Sequence, residues 1–417
     1  MNEKQPSAFL VGLADQKTPK NEAESLLKEL AALARTLDIE ISGRELVVLR
    51  EKKAKFGMGT GKAAEIVEKA ASVNADCFIF DWNPSPSQQR NWEERAGIPV
   101  VDRHELIIRI FAERALTREA ELQVRLAELS YRLPRLTHKY IDLSRQRGGR
   151  YGTRGAGETR LETDRRLLEQ RIHSLEKEIE EVGKQRQVQR KQRERQGVPV
   201  CAVVGYTNAG KSSLFNALSG AGVAAENKLF ATVDATSRRF EPAKGRPVLL
   251  VDTVGFIRRL PHILINAFRA TLEEAILADL LIHVVDASDP DAEIFHKTTL
   301  AVLEELGAGH IPVITVLNKT DLLEEDPLIL RRFPGGIPVS ALRKTGFDKL
   351  NARIDEILSG TPACFRFPPD RTDLVSLLYR SGRVFSEKYG ENHIEIEAGV
   401  DGRTAGMLKE FMLPVEK

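Results

Sequence analysis

The sequence predicts a multidomain α/β protein with a doubly wound parallel sheet near its centre. Three patterns predict it. Residues 8–115 alternate strand-like and helix-like runs, which favours a small N-terminal parallel α/β domain. Residues 116–197 carry two helical heptad seams. Gly205-Tyr-Thr-Asn-Ala-Gly210-Lys211-Ser212 then lies between an apolar run of strand length, Pro199–Val204, and a helix-like stretch from Ser213 to Leu218. A glycine-rich turn leading from strand into helix, within further strand and helix runs, marks a doubly wound sheet.

In chain order, Ala8–Gly12, Glu45–Leu49, Cys77–Phe80 and Ile98–Val101 read as strands, with helices at Asn21–Thr36 and Ala63–Ala71. Leu122, Leu126, Leu129 and Leu133 form the first seam; Leu168, Ile172, Leu175, Ile179 and Val182 form the second. Pro134 is expected to stop the first helix. Two such helices in succession fold most simply into an antiparallel coiled-coil hairpin. Strands of the doubly wound domain are expected at 199–204, 237–242, 247–252, 280–286, 311–317 and 337–340. After Gly360-Thr-Pro362 comes a small α+β appendix, with a helix around 372–389, a strand at 393–398 and a helix near 403–412. The expected domains are therefore 1–115, 116–197, 198–361 and 362–417.

Composition bounds the function classes. The chain has 417 residues, 42% hydrophobic and 29% charged, enough for sizeable cores. Its net charge is only +2, so any nucleic-acid contact must come from local basic patches. Cys77, Cys201 and Cys364 are scattered without metal-ligand spacing, which fits a reducing compartment. Met1–Ser7 lacks the basic-then-apolar pattern of a signal peptide, and no apolar run reaches membrane-spanning length. A cytoplasmic monomer with no membrane span is expected.

The turn at 205–212 has P-loop spacing. Its glycines, Gly205 and Gly210, stand where backbone must wrap closely around phosphate oxygens. The amides of Tyr206, Thr207, Asn208, Ala209 and Ser213 point toward an anion at the helix start. Lys211 would reach the β- and γ-phosphates, and the Ser212 hydroxyl would hold Mg²⁺. The base is named further on. Asn318, Lys319, Thr320 and Asp321 follow an apolar strand. One carboxylate, Asp321, can accept from both N1 and the 2-amino group of guanine. Adenine would leave that carboxylate facing a lone pair, a mismatch of roughly 1–3 kcal/mol or more. Asn318 is expected at the base edge and the P-loop backbone, Lys319 over the ring. Ser340, Ala341 and Leu342 would supply an amide to the guanine oxygen.

Asp252, Thr253, Val254 and Gly255 follow another apolar strand. Asp252 would hold Mg²⁺ through a water, and the Gly255 amide would sense the γ-phosphate. Phe230, Ala231, Thr232, Val233 and Asp234 occupy the switch I segment, where Thr232 would complete the Mg²⁺ shell. Thr236, Ser237 and Thr253 are competing hydroxyls nearby. Lys211, Thr232, Gly255 and Asn208 are the candidate catalytic residues. Phe256 stands where Ras-like enzymes place a water-orienting glutamine, so intrinsic hydrolysis of GTP should be slow. Asn208, in G-x-x-N-x-G-K-S, resembles the pattern of potassium-activated P-loop GTPases. It either helps ligate K⁺ beside the phosphates or merely spaces the loop.

These residues together resemble the HflX-type GTPases of the Obg–HflX group, over nearly the whole length. The resemblance rests on Gly205–Ser212, Phe230–Asp234, Asp252–His262 and Asn318–Asp321, and on the upstream run Gly149–Arg166. It implies a Ras-like G domain that binds guanine nucleotides and Mg²⁺. It also implies binding to the large (50S) ribosomal subunit and its rRNA, with separation of stalled or stress-arrested 70S ribosomes. A role in large-subunit biogenesis is the alternative. In the family the hairpin's glycine-rich tip approaches the peptidyl-transferase centre. One departure is Ala235, where the family commonly has proline.

The residues themselves support an RNA partner. Residues 144–160 hold five glycines and five arginines, Arg145, Arg147, Arg150, Arg154 and Arg160, against a single acid, Glu158. Glycine lets backbone approach phosphates and arginine neutralises them or stacks on unpaired bases. Lys184, Arg186, Arg190, Lys191, Arg193 and Arg195 add a second basic stretch. A different class remains open: an RNA-binding or remodelling protein whose G domain is only regulatory. Gly57-Met-Gly-Thr-Gly-Lys62 is too short for a P-loop and reads as a turn opening a helix, with a second nucleotide site as the less favoured alternative. Asp76, Asp81 and Asp102 sit at strand ends, His104, His138 and His262 show no metal spacing, and Trp82 and Trp92 read as local packing.

Overall fold

A strand buried on both faces needs an uninterrupted apolar run, and Ser7–Ala14 (β1) supplies one, with all eight residues buried. The computed structural model describes residues 5–139, 154–195, 198–220, 229–230, 236–242, 247–259, 269–323, 331–390, 392–400 and 402–413. The chain divides into two compact units. One comprises Met1–Val182 with Asn227–Val233 and Arg258–Arg269; the other comprises Gly183–Glu226, Asp234–Ile257 and Ala270–Lys417.

In the first unit, β1 pairs in parallel with Glu40–Val48 (β2) and Cys77–Phe80 (β3), and Val100–Asp102 (β4) pairs with β3, giving the order β2-β1-β3-β4. Lys20–Thr36 (α1) and Thr60–Ser72 (α2) match the expected helices. Pro86–Ala96 (α3) and Arg103–Arg114 (α4) were not foreseen. Both start on local signals. Ser85 and Gln88 close a capping box ahead of Pro86, and the Asp102 carboxylate accepts from the Glu105 amide at 2.8 Å. Trp92 fills the core among Phe56, Phe78 and Phe80 and donates its Nε1–H to the Phe56 carbonyl at 3.0 Å. Trp82 stacks on Phe80, so both tryptophans are packing residues. The Gly57–Lys62 turn opens α2, and the Lys62 ammonium is held by Glu45 and Glu65, both at 2.8 Å.

The first long helix, Arg118–Lys139 (α5), does not stop at Pro134; it runs through it. The proline forfeits one main-chain bond, but its neighbours are tied down by side chains. The Tyr131 hydroxyl donates to Asp102 at 2.9 Å, and Arg135 donates to Asp102, Asn83 and the Tyr131 carbonyl. Local propensity yields here to tertiary contact. The face that α5 buries is Ala120, Gln123, Val124, Ala127 and Tyr131, while the leucine seam is only half-buried. The second helix, Arg154–Arg195 (α6), has Leu175 fully buried and takes in Arg154 and Arg160. The expected Gly/Arg loop is therefore helical from Arg154; Arg145, Arg147 and Arg150 lie outside the described residues.

The second unit holds a six-stranded sheet of order β10-β9-β8-β5-β7-β6. Its strands are Val200–Gly205 (β5), Thr236–Phe240 (β6), Val248–Asp252 (β7), Leu280–Asp286 (β8), Val313–Asn318 (β9) and Ile337–Pro338 (β10). All pairings are parallel except β6 on β7, at the edge, where Ser237, Arg238 and Arg239 are exposed. Helices Lys211–Ser219 (α7), Arg269–Ile276 (α8), Ala292–Glu305 (α9) and Phe347–Leu358 (α10) complete it. The connection after β5 leaves the sheet where strand order reverses, the usual place for a ligand crevice.

The C-terminal sheet has the order β11-β13-β12, antiparallel, from Thr361–Phe367 (β11), Gly382–Tyr389 (β12) and Ile394–Val400 (β13). The helix expected over 372–389 ends at Ser381 (α11, Thr372–Ser381), and the remainder is β12. Gly382 permits the change of course: a Cβ there would lie 2.5 Å from the Gly399 carbonyl oxygen. β11 was not foreseen. Gly402–Met407 (α12) and a 3₁₀ turn at Lys409–Phe411 replace the single helix expected near 403–412.

Candidate nucleotide site and its switch segments

The P-loop follows β5, and its conformation is dictated by close approaches. Gly210 has φ +90°, and a Cβ on it would lie 2.2 Å from Asn318 Nδ2. Only glycine fits both demands. Asn208 is left-handed as well, at φ +62°, a region that asparagine tolerates. α7 begins at Lys211, so the helix N-terminus opens directly onto the loop. Lys211 is buried, and burial pulls its ammonium down to about 8 despite Asp252 nearby. Its Nζ donates to the Tyr206 carbonyl at 2.9 Å. The lysine thus fills one hydrogen bond with loop backbone.

The proposed Mg²⁺ groups converge. Ser212 Oγ donates to the Asp252 carboxylate at 2.7 Å, at the end of β7. These are hard oxygen donors side by side, the chemistry Mg²⁺ takes. Of the competing hydroxyls, Thr253 is spent on the Val203 carbonyl at 2.7 Å and is fully buried. Ala231, Thr232, Val233 and Asp234 lie outside the described residues.

Gly255 sits against the P-loop: a Cβ on it would lie 2.7 Å from Thr207 Cγ2 and 2.9 Å from Lys211 Nζ. Phe256 is 1% exposed, with its side chain in the core and its backbone zipped to the loop. Its N–H donates to the Gly205 carbonyl at 3.0 Å, and its carbonyl accepts from the Thr207 amide at 2.8 Å. A buried phenyl ring has no hydrogen bond to offer an attacking water.

The residues expected to read the base form one linked set. Asn318 Nδ2 donates to the Ala209 carbonyl at 2.9 Å, and its Oδ1 accepts from the Ala341 amide at 3.0 Å. Its side chain staples the P-loop, as expected, to the loop after β10. Ser340 Oγ donates to Asp321 and accepts from the Arg343 amide. Lys319, left-handed at φ +62°, is held by Asp286 at 2.6 Å. The Ser340 and Ala341 amides are both bonded, while Leu342 is 82% exposed. Asp286 escaped the sequence reading. Its signal was present: an acid ending an apolar strand, before Ala287 and Ser288.

Parts of both expected switch segments, Asn227–Val233 and Arg258–Arg269, belong to the first unit. Phe230, left-handed at φ +56° and 2% exposed, packs on Phe111 with ring centroids 4.6 Å apart. Arg258 donates from Nε to Glu29 Oε2 at 2.8 Å and from Nη2 to Ser25 at 2.8 Å. Arg103 joins Glu29 at 2.6 Å and Asp81 at 2.7 Å, and also donates to the Arg258 carbonyl at 3.2 Å. Arg259 reaches Asp81 at 3.2 Å and Thr18 at 2.8 Å. Four of the five charged groups are at most 9% exposed. The sequence reading missed this network. Its signal was Glu29 inside the apolar stripe Leu26, Leu27, Leu30, Leu33 of α1.

The comparisons agree along the chain. Family models match residues 24–112 (GTP-binding GTPase N-terminal), 114–193 (GTP-binding GTPase Middle Region) and 200–319 (50S ribosome-binding GTPase). GTPase HflX of Akkermansia muciniphila is 46% identical over 97% of this chain and 96% of its own length. GTPase HflX of Escherichia coli K12 is 44% identical over 82% of each. Among solved structures, a GTP-binding protein of Sulfolobus solfataricus in complex with GDP is 25% identical, covering 85% of this chain and 98% of its own, at a TM-score of 0.45. No described helix is long and apolar enough to cross a membrane. With that identity over nearly the whole length, and with the P-loop, Asp252, Gly255 and the Asn318–Asp321 set in one site, the chain belongs to the HflX family of GTPases: a guanine-nucleotide-binding GTP hydrolase of a ribosome-binding GTPase group.

Proposed function

We propose that this GTPase binds the large (50S) ribosomal subunit in its GTP state, splits stalled or stress-arrested 70S ribosomes into subunits, and resets by slow hydrolysis. The observation that carries the reading is the anchoring of both switch segments in the first unit. Gly255, the γ-phosphate sensor, is three residues from Arg258, which is tied to Glu29. Phe230, two residues before Thr232, is packed on Phe111. Nucleotide state at the P-loop therefore has a covalent route of a few residues into the unit that also carries α5, most of α6 and the Gly/Arg stretch. In this reading 1–115 is an α/β domain that receives the signal, 116–197 the RNA-contacting hairpin, 198–361 the G domain and 362–417 an appended domain.

Ser212, Thr232 and, through a water, Asp252 would hold Mg²⁺, which supplies positive charge to the β- and γ-phosphates when bound. Lys211 adds a cation to the same oxygens, and the Gly255 amide donates to the γ-phosphate. Asp321 accepts from the guanine edge, with Ser340 orienting its carboxylate and Asp286 holding Lys319 over the base plane. The Leu342 amide is the donor for the guanine oxygen. Phe256 offers no water-orienting group, so turnover is slow until another group, K⁺ at Asn208 or a partner, completes the site. Arg145, Arg147, Arg150, Arg154 and Arg160 neutralise rRNA phosphates. Replacing Arg147, Arg150 and Arg154 together with Ala is expected to abolish cosedimentation with ribosomes while guanine-nucleotide affinity stays intact. Unchanged cosedimentation would remove the RNA-contact role.

A further inference from the structure

Four buried polar atoms on residues that line one cavity at the P-loop have no hydrogen-bond partner among the described residues: Nδ1 and Nε2 of His283, Nδ1 of His296 and Oγ1 of Thr207. His283 is 1% exposed on β8, in register with Val204 of β5, one residue before the loop. Its ring stacks on His296, with centroids 4.7 Å apart and planes 5° from parallel. Beside this pair Tyr206 stacks on Phe295 at 4.0 Å and 9°. Phe295 and His296 are consecutive on α9, so one helix turn backs both strand and loop. These residues line a single cavity, whose room for the centres of water molecules is about 40 Å³. One water needs roughly 10–15 Å³ of such room, so two or three fit. Buried polar atoms are seldom left unsatisfied, and a cavity of this size with such atoms in its wall takes up water.

We propose that this cavity is a buried water site, and that through it His283 acts as a positioning residue for Thr207 and hence for Gly255. The ligand class follows from the rings. Parallel stacked imidazoles direct their lone pairs side by side, so they do not converge on a tetrahedral metal. Burial, with His296 and Lys211 nearby, drives the His283 pKa down to about 3, so the ring is neutral and has one donor and one acceptor for water. Threonine is stiff at χ1, so fixing its hydroxyl also fixes its methyl. That methyl is the group against Gly255, while the Thr207 amide holds Phe256 at 2.8 Å. One face of Thr207 reads the water site, and the other supports the glycine that senses the γ-phosphate. This last link rests on the GTPase reading of Gly255.

The test compares affinities for GDP and for a non-hydrolysable GTP analogue in the full-length wild type, His283→Phe, His283→Gln, Thr207→Val and the His283→Phe/Thr207→Val double variant. The readout is the ratio of the two affinities, because GDP does not use Gly255. His283→Phe is expected to weaken the analogue about tenfold, the scale of one lost hydrogen bond, while GDP binding stays near wild type. His283→Gln, which keeps a donor and an acceptor, should restore most of the ratio. Thr207→Val should lower the ratio, and adding His283→Phe to it should lower it no further. Equal losses for GDP and analogue, an unchanged ratio in His283→Phe, or losses that multiply in the double variant would each overturn the proposal. Failure of the wild type to bind the analogue would instead count against the GTPase reading itself.

Discussion

Glu29 is the hinge of the buried network that fixes switch II, and its removal should be far more damaging than removal of its partner. The bookkeeping is one of charge. Glu29 and Asp81 face Arg103, Arg258 and the partly exposed Arg259. Glu29→Met leaves one carboxylate against three cations and strands one buried guanidinium, Arg258 at 7% side-chain exposure, while Arg103 keeps Asp81 at 2.7 Å. Leaving a buried charge uncompensated costs about 3–5 kcal/mol. Arg258→Met instead leaves two carboxylates against Arg103 and Arg259, which still pair with them, so the loss should be about 1–2 kcal/mol of hydrogen bonding. The chain's two tryptophans, Trp82 and Trp92, both lie in this unit, so their fluorescence during urea unfolding reads it selectively. With a slope of about 2 kcal/mol per M urea, Glu29→Met should lower the midpoint by roughly 2 M and Arg258→Met by less than about 1 M. The double variant should be milder than Glu29→Met, because the stranded cation is gone. Equal shifts for the two single variants would refute the reasoning.

Two further outcomes follow from the nucleotide site. If Asn208 ligates a monovalent cation beside the phosphates, K⁺ should accelerate GTP hydrolysis over Na⁺ at matched ionic strength, and Asn208→Ala should erase the difference; equal turnover of the wild type in the two salts would sink the cation role. Acid should destabilise the second unit through His283, whose pKa lies near 3 when folded against 6.5 for the free side chain. The unfolded chain takes up the proton below pH 6.5 and the folded one does not until about 3. Stability present at neutral pH is therefore lost as pH falls, by about 1.4 kcal/mol per unit, or about 2 kcal/mol by pH 5. Hydrogen exchange in β5 and β8 at pH 7 and 5 measures it, and His283→Phe should flatten the slope.

The nucleotide site was legible because its chemistry is local. A P-loop needs glycines, a lysine and a hydroxyl at fixed offsets, and Gly205, Gly210, Lys211 and Ser212 stand at them; a guanine site calls for a carboxylate just past a strand, and Asp321 lies three residues beyond β9, in a 3₁₀ turn. The four apolar strands β5, β7, β8 and β9 were found for a similar reason, since a parallel strand buried on both faces leaves an apolar run. What escaped was set by contacts between residues far apart. Arg258 and Glu29 are 229 positions apart, and nothing near either one announces the other. Pro134 was taken at its propensity, but Asp102, 33 positions from Arg135, holds the helix through it. The helix read over 372–389 joined an amphipathic helix to an edge strand, because Leu377, Leu378 and Val384 continue a helical stripe across Gly382. Asn318 was expected at the base edge and the P-loop backbone; its side chain makes the second contact, at Ala209, and adds one to the Ala341 amide, 23 positions on, that local spacing does not announce.

Sedimentation of 70S ribosomes with the full-length protein and GTP, GDP or a non-hydrolysable GTP analogue puts the nucleotide-gated action on ribosomes to the most direct trial. The expected profile is conversion of the 70S peak to subunits with GTP and with the analogue, the protein migrating with the 50S peak, and an intact 70S peak with GDP. An intact 70S peak in all three mixtures, or equal splitting with GDP, would contradict a switch whose nucleotide state is read through Gly255, Arg258 and Glu29.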